Sequence, residues 1–82
     1  MNAQSRSLNA IARDIRKDWG SKVNYAARPY LEAMLSLDSI QDSYYSDSGR
    51  SIVLYFLTNA GTYRGENAKA FKAELKALAG IK

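Results

Sequence analysis

Apolar residues recur at helical spacing in several stretches of this chain. Leu8, Ile11, Ile15 and Trp19 fall at steps of three and four, so a helix is predicted over about residues 7–19. Ser7 is placed to cap it, its hydroxyl accepting from a first-turn amide, and Gly20 to end it in a left-handed conformation. Arg6, Arg13, Arg16 and Lys17 project from the opposite side, with Asp14 and Asp18 on the other edge. A second segment carries Ala27, Leu31, Met34 and Leu35 and ends near Leu37. Pro29 complicates its start, because proline lacks the donor an interior position must supply. Two starts stay open, near Pro29 or at Tyr25 with Asn24 as cap; a short leading turn and then a helix through Leu37 is preferred.

Residues 38–50, DSIQDSYYSDSGR, are rich in Ser and Asp, a composition that favours turns. The next run, SIVLYFLTNAG, holds an unbroken apolar stretch from Ile52 to Leu57 that suits a buried strand or a buried helix. No other run alternates or is β-branched enough to pair with it, and a lone strand leaves its backbone groups unsatisfied. A fully buried central helix ending at Asn59 and Gly61 is therefore expected. The last segment runs from about Gly65 to Ala79, with Ala68, Phe71, Leu75 and Leu78 as its apolar stripe. Lys69, Lys72 and Lys76 lie on the far side, and Ala70, Ala73 and Ala77 make a small-residue face that suits a neighbour in the domain or a second copy. The expected fold is all-α, one compact domain of about four helices over residues 1–82, with the first six or so residues disordered.

Composition narrows the chemistry. With 82 residues there is room for one domain with a modest core. Cysteine and histidine are both absent, which removes disulfides, thiol nucleophiles, the usual zinc ligands and the usual neutral-pH proton carrier. No cofactor or metal is expected. No uninterrupted apolar stretch resembles a signal peptide or a membrane span, so a cytoplasmic protein is expected. The net charge of +4 is uneven: residues 1–37 carry +3, residues 38–48 carry −3 and residues 49–82 carry +4. An acidic, tyrosine-bearing loop interrupts an otherwise positive chain.

Several candidate sites follow. In GTYRGE, Gly61 to Glu66, two glycines permit close backbone approach and Arg64 is a forked donor for phosphate or carboxylate. The preferred reading of the same turn is a capped connection, with Thr62 as cap, Tyr63 on the core and Arg64 solvated. It lacks the spacing and terminal Lys-Ser/Thr of a phosphate-binding loop. If the first and last helices pack side by side, Arg6, Arg13, Arg16 and Lys17 could join Lys69, Lys72 and Lys76 in one surface for a phosphate backbone. A helix-turn-helix over the last two segments is disfavoured, because position 67, an Asn, is polar where a buried residue is needed. Asp38, Asp42 and Asp47 do not match a calcium loop. Tyr44 and Tyr45 are better candidates, as interface anchors, with one of the pair packed inward. Trp19, Tyr25, Tyr30 and Phe71 are expected in the core or at its edge. No acid pair sits in an apolar setting that would raise one pKa, so the chain is expected to be no enzyme.

The stretches "ARDIRKDW", "NYAARPYLEAMLSLDSI" and "GRSIVLYFLTNAGTYRGENAKAFKAELKAL" resemble a group of short bacteriophage-encoded proteins, across residues 11 to 78. That group is associated with a GTWRGE-like turn; here Tyr63 stands for Trp, and Tyr45 stands where a glycine is expected. The resemblance implies a phage or prophage setting in a bacterial host and carries no activity. The leading expectation is a small interaction protein that binds and modulates a host or phage protein through Tyr44, Tyr45, Tyr63 and Arg64. The alternative is a nucleic-acid-binding accessory protein using Arg64 and the two basic stripes, and a homodimer is compatible with either. No membrane partner is expected.

Overall fold

The computed structural model describes residues 7–80. Arg6, and the expectation of disorder in the first residues, lie outside them. Helix α1 spans Leu8–Trp19 and opens as the sequence predicts, with the Ser7 hydroxyl accepting from the Ala10 amide at 3.3 Å. Gly20 ends it at φ 61 and donates its N–H to the Arg16 carbonyl. Asn24 then organises the preferred leading turn: its side-chain oxygen accepts from the Ala27 amide at 2.8 Å, and its carbonyl accepts from Arg28. Helix α2, Arg28–Leu35, follows with Pro29 in its first turn, where no donor is needed. It stops short of Leu37, the chain closing with Ser36, whose amide and hydroxyl both donate to the Ala33 carbonyl; Leu37 is buried all the same.

Residues 43–48 are more ordered than the turn-rich composition suggests. Strands β1 (Ser43–Tyr44) and β2 (Asp47–Ser48) form an antiparallel hairpin, pairing Ser43 with Ser48 and Tyr44 with Asp47. Strands of two residues are too short to leave a period-two pattern in sequence. Ser48 then caps α3, Gly49–Asn59, by accepting from the Ser51 amide at 3.2 Å. Gly49 is buried where the chain passes the 39–40 carbonyls. A Cβ there would lie 2.8 Å from the Ile40 oxygen and 2.9 Å from that of Ser39, which only glycine avoids.

The expectation that α3 is buried all round is corrected. Gly49, Ile52, Val53 and Phe56 face the core, whereas Tyr55 is 47% exposed and Thr58 also meets solvent. In a bundle this small each helix has two neighbours and keeps an outer side. Helix α4, Glu66–Ala79, closes the ring: α1 packs on α2 and α4, and α3 packs on α2 and α4. The core centres on Phe56, Leu8, Ile11, Ile15, Met34, Leu75 and Val53.

Hydrogen bonds fix the helices in an up-down-up-down order. At one end the Leu8 amide donates to the Asp38 carbonyl, and Arg50 Nε donates to the Ala79 carbonyl at 2.9 Å. At the other, Asn24 Nδ2 donates to the Asn59 carbonyl, and Asn67 Nδ2 donates to Asp18. The hairpin thus sits at one pole of the bundle, and the 61–65 connection at the other.

Candidate interaction surfaces

At the second pole Tyr63 is folded in. It is buried, stacked on Trp19 with ring centroids 4.6 Å apart, and its hydroxyl donates to Asp18 Oδ2 at 2.7 Å. Asn67 donates to the other oxygen of that carboxylate at 3.0 Å. These two bonds, the one from Asn67 foremost, hold the Asp18 carboxyl below its ordinary pKa. Burial first, and then the Asp18 charge it bonds, push the Tyr63 phenol well above its ordinary range. Tyr63 is therefore a core residue and not an exposed anchor. Thr62 does not cap α4 either. Its hydroxyl accepts from Asn24 Nδ2 at 3.1 Å, and the capping position belongs to Gly65 at φ 116. Arg64 alone of this turn's candidates points a charge outward, its Nε 3.5 Å from the Gly61 carbonyl.

Lys72 is likewise taken up by the fold. Its ammonium donates to the carbonyls of Ala60 at 2.8 Å and Tyr63 at 2.7 Å, and lies 5.7 Å over the Tyr63 ring. It adds a second donor to the Ala60 carbonyl just past α3, which also accepts from the Tyr63 amide, and one to the Tyr63 carbonyl in the connection. Burial, followed by the nearby charges of Lys76 and Arg64, lowers its pKa.

A shared positive face requires α1 and α4 side by side. Helices α1 and α4 do pack together, but the edge of α1 that meets α4 carries Asp18, bonded to Asn67 and Tyr63. Lys72 marks the lysine edge of α4, and it turns toward the end of α3. Arg13, Arg16 and Lys17 are all exposed. Basic side chains do gather at one pole. Arg16, Lys17, Lys22, Arg28, Arg64 and Lys69 come from helix ends and connections at the Tyr63 pole. Asp38, Asp42 and Asp47 belong to the hairpin pole together with Arg50 and Lys76, while Asp18 and Glu66 belong to the other. The sequence reading missed Lys22 and Arg28, which no stripe contains; their nearness to helix ends was the available signal.

The hairpin displays its tyrosines unequally. Tyr44 packs against the core, as one of the pair was expected to, and Tyr45 is 88% exposed with its ring edge-on to Tyr44 at 4.8 Å. Tyr45 occupies the first position of the two-residue loop and has φ 57, a left-handed conformation that costs a non-glycine residue about 1–2 kcal/mol. Trp19 is buried, and Tyr30 and Phe71 pack at the core edge as expected. Tyr25 departs from that expectation at 88% exposure, because it lies in the turn before α2, outside the helical register. The Ala70, Ala73 and Ala77 face is open to solvent within the chain. Among the described residues Asp38, Asp42 and Asp47 do not gather into a metal-binding group, and no helix is long and apolar enough to cross a membrane.

No protein-family model, curated protein or solved structure matches the chain.

Proposed function

We propose that this chain is a small non-enzymatic interaction module, phage-encoded, that binds and modulates a host or phage protein through its hairpin. The observation that carries the reading is Tyr45. A large amphipathic ring is held almost wholly in solvent, in a backbone conformation unfavourable to it, and braced against Tyr44. Strain kept at an exposed residue points to a role for that residue outside the fold. Such a ring has few rotors to freeze on binding. Asp47, two residues on in the sequence, is exposed as well, so the complementary surface is an apolar socket with a basic rim. A tagged copy should retain a defined protein from the natural host after nuclease treatment, and Tyr45→Gly should lose it. Equal capture by the variant would sink the reading.

The nucleic-acid reading is a second proposal, favoured by the basic residues gathered at the Tyr63 pole. Arg16, Lys17, Lys22, Arg28, Arg64 and Lys69 would carry it, and Lys72 would not, since its donors are engaged. Binding of labelled DNA or RNA should weaken steeply as salt rises. Absence of binding at about 50 mM salt would exclude it.

A further inference from the structure

Between the last turn of α1 and helix α2 lies an open cleft of about 370 Å³, lined by Arg16, Gly20, Val23, Arg28, Leu31 and Glu32. Val23 and Leu31 are core residues whose edges form its apolar floor. Arg16 and Arg28 are exposed on its walls, and neither guanidinium is engaged by a described group. A cleft of this size with an apolar floor and forked cationic donors suits an aromatic side chain bearing an adjacent carboxylate. It lies at the positive pole, since Gly20 follows the end of α1 and Arg28 begins α2.

The same chain carries such a group at its opposite pole. Tyr45 protrudes there, and Asp47, two residues on, is exposed with its carboxylate engaged by no described group. We propose that copies of this chain associate head to tail, Tyr45 of one copy entering the α1–α2 cleft of the next. The ring rests on Val23 and Leu31, with the guanidinium of Arg16 or Arg28 over its face and the other paired with Asp47. The cleft offers Arg16 and Arg28 to Asp47, with Glu32 as the carboxylate on its lining, so the two cations favour docking in this sense. Anchor and cleft lie at opposite ends of a body 31 Å in its longest extent, so a head-to-tail contact leaves one anchor and one cleft free. Repetition extends the assembly into a chain or a ring. The interface is small and charged, and its association is correspondingly weak and salt-sensitive.

This inference rests on the reading of Tyr45 as an anchor and names its partner. The test is sedimentation velocity of the full chain over a concentration series, at about 20 mM and about 500 mM salt. Wild type is expected to grow in size with concentration at low salt and to revert to monomer at high salt. Tyr45→Ala and Arg28→Glu are each expected to stay monomeric, with Arg16→Glu as a second cleft variant should circular dichroism show Arg28→Glu unfolded. Mixing Tyr45→Ala with Arg28→Glu is the deciding step. One supplies an intact cleft and the other an intact anchor, so the mixture should form a dimer that grows no further. A wild type monomeric throughout at low salt, self-association unchanged by Tyr45→Ala, or a mixture of monomers would each overturn the proposal. Tyr45-dependent capture of a different protein beside such a result would leave the interaction module standing and exclude only the second copy as its partner.

Discussion

Tyr63 and Tyr45 each sit in a connection between elements, and the fold uses them in opposite ways. The 61–65 connection crosses over the end of α1, so Trp19 lies beneath the Tyr63 ring and Asp18 meets its hydroxyl. The ring is covered, its polar tip is paired, and the connection becomes part of the core. The hairpin loop has the Tyr44 ring behind it, and Tyr45 remains in water. A tyrosine is absorbed where another element reaches across it, and displayed where the chain turns back on itself. Glycine placement follows the same division. Gly65 supplies the positive φ that the first connection needs, whereas the hairpin places Tyr45 where glycine would be at ease.

That contrast is sharpest in stability. Tyr63→Ala removes a buried ring and should cost about 3–5 kcal/mol, enough to threaten folding of so small a domain. Tyr45→Ala should stay within about 0.5 kcal/mol of wild type. Urea denaturation of both variants measures the difference, and comparable losses would abolish the distinction.

The root of the hairpin should behave like the core despite the exposure of its tip. Gly49→Ala drives a methyl against the Ile40 and Ser39 carbonyls, and about 1–3 kcal/mol of destabilisation is expected from such overpacking. Thermal unfolding checks it; a neutral result would mean that the 38–42 loop moves aside freely.

Tyr45→Gly should leave stability unchanged or raise it by up to about 1 kcal/mol, since it relieves the left-handed strain. Partner capture and self-association should fall in the same variant. A clear loss of stability instead would make Tyr45 structural.

The smallest effects are in pH dependence. The Tyr63 phenol has a raised pKa in the fold, so its contribution is complete below the unfolded value of about 10 and is lost as pH rises beyond it. Tyr63→Phe should flatten that alkaline limb relative to wild type. Asp18 has a lowered pKa, so its contribution is present above the unfolded value of about 4 and is lost as pH falls through the folded one. Asp18→Asn should flatten the acid limb and leave the alkaline one less steep. Unfolding midpoints between pH 3 and pH 11, at intervals of about one unit, separate the two.

Helices were legible where side chains announce them. Leu8, Ile11, Ile15 and Trp19 are all buried, and Ser7 and Gly20 cap α1 in the roles their chemistry suggests. Asn24 with Pro29 marked the leading turn before α2. Local rules suffice there because capping bonds span three or four residues. The hairpin escaped because its strands are too short for a pattern, and the burial of α3 was overstated because an apolar run does not reveal how many neighbours a helix has. In the candidate surfaces the limit was directional. A helical wheel places Lys72 on a basic stripe, yet only the position of the α3 terminus shows its ammonium bound by the Ala60 and Tyr63 carbonyls.

Taken alone, the sequence determined the helical class, most of the caps, the inward-facing stripes and the acidic interruption of a positive chain. These follow from local periodicity and composition, which need no knowledge of what lies across the fold. Tertiary structure decided which tyrosine is buried and which is offered, and that Lys72 of the basic stripe is bound to backbone carbonyls. It also gathered Lys22, Arg28 and Arg64 from separate connections at one pole, opposite Asp42 and Asp47. Those outcomes depend on antiparallel packing, which brings helix ends together across dozens of residues of chain, beyond the reach of any local pattern.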